Sequence, residues 1–202
     1  MSKKTVLIII VAISLSGYLH SCKSEDKKPV VEEKQKPVTV SKYSPAFVTS
    51  VNKALADYYG LTEAFVNWDS TAIRNGANAL QTSFNGISFE EVKKDTAIYV
   101  TATSYLENFK GDLQAIKDQP NITDKRQSFN SLSQNIYDLL RTIKYDGAPV
   151  YKQECPMAFN DTDPGTWLSK TSAVRNPYLG LHHPKYKSGM LTCGDTKDSL
   201  HY

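Results

Sequence analysis

Residues 45–68 read PAFVTSVNKALADYYGLTEAFVNW, and their spacing decides the fold class. Phe47, Val51, Ala54, Tyr58, Leu61, Phe65 and Trp68 recur at alternating steps of four and three. That is the period of one face of an α-helix, arranged as a seam that packs at a shallow angle. The spacing predicts a helix over 45–67, capped by Ser44, with Pro45 in its first turn. Gly60 lies inside it, at a cost of about 1 kcal/mol relative to alanine.

The pattern repeats three times. A second helix over 70–84, capped by Asp69 or Ser70, turns Ile73, Ala77, Leu80 and Phe84 inward and closes at Asn85-Gly86. Ser88 and Glu91 have capping-box spacing for a short helical turn. A third helix over 95–118 carries Ile98, Ala102, Tyr105, Phe109, Leu113 and Ile116, and Pro120 ends it. A fourth is capped by Thr123, with Asp124 in its first turn. Its seam is Phe129, Leu132, Ile136, Leu139 and Ile143, and Gly147 and Pro149 stop it. The fold class is mainly α: an up-down four-helix bundle over 44–147, followed by an irregular Cys/Met-containing C-terminal lobe over 148–202.

In that lobe, prolines at 149, 156, 164, 177 and 184 interrupt any long helix. Asp163-Pro164-Gly165 and Asn176-Pro177 are turn signals. Short strands are expected near 150–152 and 190–192. Trp167, Leu168 and Tyr178 are available to dock on the bundle. The segment is too short and too polar to fold alone, so something must pin it.

Upstream of the bundle, Lys3 and Lys4 precede an apolar run over 6–15 that is too short to span a bilayer. Leu19-His20-Ser21-Cys22 resembles the lipobox of bacterial lipoproteins. Residues 1–22 are therefore read as a lipoprotein signal peptide, with lipidation at Cys22 supplying the membrane anchor. Residues 23–43 are charged and proline-containing, a tether reaching roughly 25 Å as a relaxed coil. The acidic pair Glu25-Asp26 suits surface export as well as a solvated charge cluster. The expected location is the periplasm or cell surface, lipid-anchored to a bacterial membrane.

Composition narrows the function. The net charge is +3, and losing Lys3 and Lys4 brings it close to zero. Basic residues are dispersed among acidic ones, which argues against a nucleic-acid partner. No phosphate loop, HExxH or G-x-S-x-G elbow is present, and no histidine falls in the four helices. The chain is read as a non-enzyme.

The remaining chemistry is concentrated at one end. Beyond position 22, every Cys, Met and His lies between 155 and 201: Cys155, Met157, His182, His183, Met190, Cys193 and His201. Two readings stand side by side. In one, Cys155 and Cys193 form a disulfide, which suits an oxidising compartment. Its loop of about 39 residues would stabilise the fold by roughly 4 kcal/mol. In the other, Cys155, Met157, Met190 and Cys193 ligate a soft metal. Cys-x-Met and Met-x-x-Cys mirror each other, and thiolate with thioether selects Cu(I), and likewise Ag(I). His182 and His183 complete such a site or admit Zn(II).

The motifs CPMAF (155–159), Trp167-Leu168-Ser169, Arg175-Asn176-Pro177-Tyr178-x-Gly180 and Met190-Leu191-x-Cys193-Gly194 resemble one family, together with RQSFNSLS (126–133). It is the domain of unknown function DUF 3347, and the resemblance runs over roughly 46–195. It implies a helical domain of Bacteroidetes-type periplasmic lipoproteins, also fused to periplasmic adaptor subunits of heavy-metal and copper efflux systems. Copper binding and heavy-metal efflux partners are therefore the expected context. Both cysteines, Met157 and Met190 fall on the family pattern. The stretch 181–189 (LHHPKYKSG), which carries His182 and His183, is an insertion relative to it.

Overall fold

The computed structural model describes residues 41–202. The signal, Cys22 and the tether up to residue 40 lie outside the described residues. Helix α1, Pro45–Val66, buries Phe47, Val51, Ala54, Tyr58, Leu61 and Phe65, and Ser44 caps it by accepting the Phe47 N–H. Helix α2, Ser70–Asn85, is capped by Asp69, which accepts from the Thr71 and Ala72 N–H groups. Helix α3 is Thr96–Asp118 and helix α4 is Ile122–Thr142. Consecutive helices are neighbours joined by short links, and α1 meets α4 through aromatic rings. Tyr58 stacks on Phe129 with centroids 5.5 Å apart.

Some local expectations are corrected. Asn121, not Thr123, caps α4, its side chain accepting from the Asp124 N–H. Residues Phe89–Val92 form a short 3₁₀ turn, but Ser88 makes no side-chain cap. Glu91 instead accepts from the Ser44 N–H and hydroxyl. Trp68 is not part of the seam. It follows the end of α1 with φ +56°, while the Asp69 N–H reaches Ala64 O and the Trp68 N–H reaches Phe65 O. Helix α4 ends by the same device at Lys144, φ +49°, before Gly147 and Pro149 are reached. Both ends use a left-handed residue where glycine is usual. Residues 41–43, read as tether, belong to this domain: Ser41 Oγ and the Lys42 N–H both donate to Asp146.

Two buried cations also bind helix C-termini. Lys125 Nζ donates to Ile116 O and Lys117 O at the end of α3. Arg126 Nη2 donates to Phe65 O near the end of α1. Cations at helix C-termini offset the negative end of the dipole.

The C-terminal lobe is more regular than expected. Strand β1, Val150–Phe159, lies between β2, Asp163–Ser169, and β3, Asp195–Leu200, with both neighbours antiparallel. The expected strand at 190–192 is absent, and the third strand lies just beyond it. The β1–β2 turn is not at Asp163-Pro164-Gly165. It sits at Asn160 and Asp161, with φ of +50° and +63°. Asn and Asp tolerate this conformation through local hydrogen bonding. Pro156 lies where the register shifts after Cys155, past the last β3 partner, so no ladder bond is lost there.

The lobe is seated on the bundle as expected, through Trp167, Leu168 and Tyr178, all buried. The outer edge of β2 is covered by helix side chains. The Leu168 N–H donates to Tyr58 Oη at 3.0 Å, and the Thr166 N–H donates to Asn130 Oδ1 at 2.8 Å. Ser133 Oγ donates to Phe129 O at 2.7 Å, so the Tyr58 hydroxyl must donate to Ser133 Oγ, also at 2.7 Å. A relay therefore runs from strand to helix with every buried group paired.

Tyr58→Phe removes the middle of this relay and leaves the Leu168 N–H unpaired. Urea denaturation should show a loss of about 1–3 kcal/mol. A loss below about 0.5 kcal/mol, the level of an uninvolved surface site, would show that the relay does not hold the lobe.

Candidate functional site

Cys155 is on β1 with its side chain fully buried, directly opposite Gly165 of β2. Cys193 is half-buried and closes a turn in which its N–H donates to Met190 O at 3.0 Å. The fold brings these cysteines together: the sulfurs are 2.8 Å apart, with no disulfide between them.

Two residues place Cys193. Gly194 takes φ +129°, and a Cβ there would stand 2.6 Å from Glu154 O and 3.0 Å from the Trp167 ring. Only glycine permits this approach to β1 beside Cys155. Asn176 is fully buried and holds the preceding segment. Its Nδ2 donates to Cys193 O at 2.9 Å, and its N–H donates to Leu191 O at 2.8 Å. Its Oδ1 accepts from the Tyr178 and Leu179 N–H groups.

The other sequence candidates are placed differently. Met157 and Met190 are partly buried and pack against the core. Met190 shares the Cys193 turn, and Met157 follows Cys155 on β1. His182 is exposed. His183 Nδ1 accepts from the Lys185 and Tyr186 N–H groups, both at 3.2 Å. Its ring stacks on Tyr186 and meets the edge of Trp68. Burial, and then the Arg126 charge, hold its pKa below the usual histidine value. His183 is thus a neutral ring committed to its own turn. His201 packs on Tyr151. Among the described residues, no group of three or more His, Cys, Asp or Glu is arranged to hold a metal ion.

Arg126 was not singled out from the sequence. It is buried, lies 3.7 Å from the centroid of the Trp68 ring and donates through Nε to Pro177 O at 3.0 Å. Burial pushes its pKa down to about 9. Nothing in residue type distinguishes it from Arg141, the exposed cation of the same helix.

These features define a mainly α protein: a helical bundle bearing a small antiparallel sheet that presents a pair of thiols. Residues 54–146 match the family described as Protein of unknown function (DUF3347), and the helical domain belongs to that family. The match runs from Ala54 within α1 to the end of the bundle and stops before the lobe, so the cysteine motifs lie outside the matched residues. No curated protein and no solved structure matches the chain. No helix among the described residues is long and apolar enough to cross a membrane.

The thiol pair makes stability depend on pH. Burial, and then its hydrogen bond with Cys155, push the Cys193 thiol from 9.0 up to about 12. Below pH 9.0 the folded and unfolded states are both protonated, and the contribution is intact. Between 9.0 and about 12 only the unfolded state releases the proton, so stability falls as pH rises. Denaturation midpoints of the reduced protein should fall more steeply across this window than those of Cys193→Ser. Equal slopes would contradict the assignment.

Proposed function

We propose that this chain is a lipid-anchored envelope protein whose lobe takes up a soft metal ion. Cu(I) suits the donors best, with Ag(I) next and Zn(II) after it. Cys155 and Cys193 are the thiolate ligands, and Met157 and Met190 supply thioethers. The role is binding rather than catalysis: sequestration, or hand-off to heavy-metal efflux components. The observation that carries this reading is the 2.8 Å approach of two thiols from distant parts of the chain, each with a methionine on its own segment.

The donor set fits a soft ion. Two sulfurs bound to one tetrahedral ion at about 2.3 Å each stand roughly 3.8 Å apart. Uptake therefore asks Cys193 to move by about 1 Å, and Cys193 is the half-exposed partner on a turn. The proton on Cys193 must leave, so affinity should rise with pH.

The same short separation favours a second reading, in which the pair closes to a disulfide at about 2.05 Å. The two thiols would lose two protons and pass two electrons to a disulfide-bearing oxidant of the envelope. The bundle would then serve as an interaction module and the bond would only brace the lobe.

Competition for Cu(I) between the reduced chain and a strong chelator separates the two. The chain should retain one copper. Met157→Leu with Met190→Leu should weaken retention by about tenfold or more while costing less than about 1.5 kcal/mol of stability. No copper uptake by the reduced chain, or retention indifferent to the methionines, would overturn the metal reading.

A further inference from the structure

A groove of about 990 Å³ runs between α1 and the lobe, far larger than anything the thiol pair needs. Its walls are mainly apolar, with Leu55, Tyr59, Val150, Trp167, Val174 and Leu191 among them. This volume lies at the upper end of the range of small-molecule sites, which are likewise apolar with a few polar groups.

Gly60 lines it, in the interior of α1. A glycine there costs about 1 kcal/mol relative to alanine. No positive φ calls for it, and a Cβ built on it meets nothing within 4 Å. Gly76 of α2 is different: its missing side chain admits Leu61, whose Cα lies 3.2 Å from the Cβ position. Gly111 of α3 also has empty space above it, but it does not line this groove. At Gly60, an exposed position, the bare backbone opens directly onto the groove. Ala56, one turn earlier, widens the same opening.

Polar groups at the groove set the kind of molecule it suits. Tyr59 is half-buried, and its hydroxyl has no hydrogen bond to any described residue. On the rim, Arg175 Nε donates to both carboxylate oxygens of Glu63, at 2.8 and 2.9 Å. Lys170 lines the same groove and has no ion-pair partner among the described residues. The groove therefore carries one uncompensated positive charge beside mainly apolar walls.

We propose that this groove binds a slender amphiphilic acid of the long-chain carboxylate class. The chain lies along Leu55, Tyr59 and the bare backbone of Gly60, and the carboxylate is held at the rim by Lys170. Burial of the chain supplies most of the affinity, and the rim charge selects an acid over an alcohol of equal length.

The test is calorimetric titration of the full chain with sodium laurate below its micelle concentration. Gly60→Leu is the decisive comparison. Its Cβ meets nothing within 4 Å, leucine is the better helix former, and its melting temperature should equal or exceed that of the parent chain. It also corrects for any laurate taken up by the apolar run at 6–15. The parent should show one saturable site. Affinity should fall about tenfold or more in Gly60→Leu and a few-fold in Lys170→Glu. Dodecanol should bind more weakly than laurate. Absence of saturable binding, or unchanged binding in Gly60→Leu, would overturn the groove as the site. Dodecanol binding as tightly as laurate would overturn the choice of an acid.

Discussion

The Tyr58 hydroxyl is the interaction on which the rest of this structure depends. It accepts the Leu168 N–H from the edge of the sheet and donates to Ser133, which donates onward to Phe129 O. Burial raises the phenol to about 12, which keeps it a neutral donor and acceptor. A three-stranded sheet of this size cannot bury enough apolar surface to fold alone. Trp167, Leu168 and Tyr178 therefore complete a core that the helices began. The exposed edge of such a sheet would also be a site for unwanted pairing. Asn130 and Tyr58 occupy that edge instead, so a single arrangement orients the sheet and protects it.

The meeting of the thiols follows from that seating. Arg126 ties Pro177 O to the end of α1, which fixes the segment before the Cys193 turn. Asn176 then binds that turn at Leu191 and Cys193, and Gly194 lets it touch β1 beside Cys155. The links are hydrogen bonds made by the buried Arg126 and Asn176 and the close approach of Gly194. The pair is built by the fold and does not result from two mobile loops meeting. Whether the pair carries a metal or a bond, its geometry belongs to the bundle as much as to the lobe.

The bundle was legible because helices bury one face at a fixed period. Phe47 through Phe65 and Phe129 through Ile143 are buried as their spacing required, and Ser44 and Asp69 cap as short polar residues should. The helix ends were less legible, because Trp68 and Lys144 take a conformation for which their residue types carry no signal. Strand β3, DTKDSL, has no alternating apolar pattern: four of its six residues are exposed, and it is held by the ladder to β1, the buried Leu200 and the hydrogen bond from Tyr137 to Asp198. The turn at Asn160-Asp161 was hidden by the stronger turn signal of Asp163-Pro164-Gly165 close by. At the site, the two cysteines and two methionines were evident from composition. The supports were not: Arg126 and Asn176 act through buried hydrogen bonds between segments far apart in sequence.

Amide hydrogen exchange at Leu168 and Thr166 tests the dependence of lobe on bundle most directly. If the sheet is held by Tyr58 and Asn130, these two amides exchange only when α1 and α4 unfold, with the same free energy as the core amides of those helices. Exchange at Leu168 and Thr166 through a local opening, while α1 and α4 stay protected, would contradict it and make the lobe a separately stable unit.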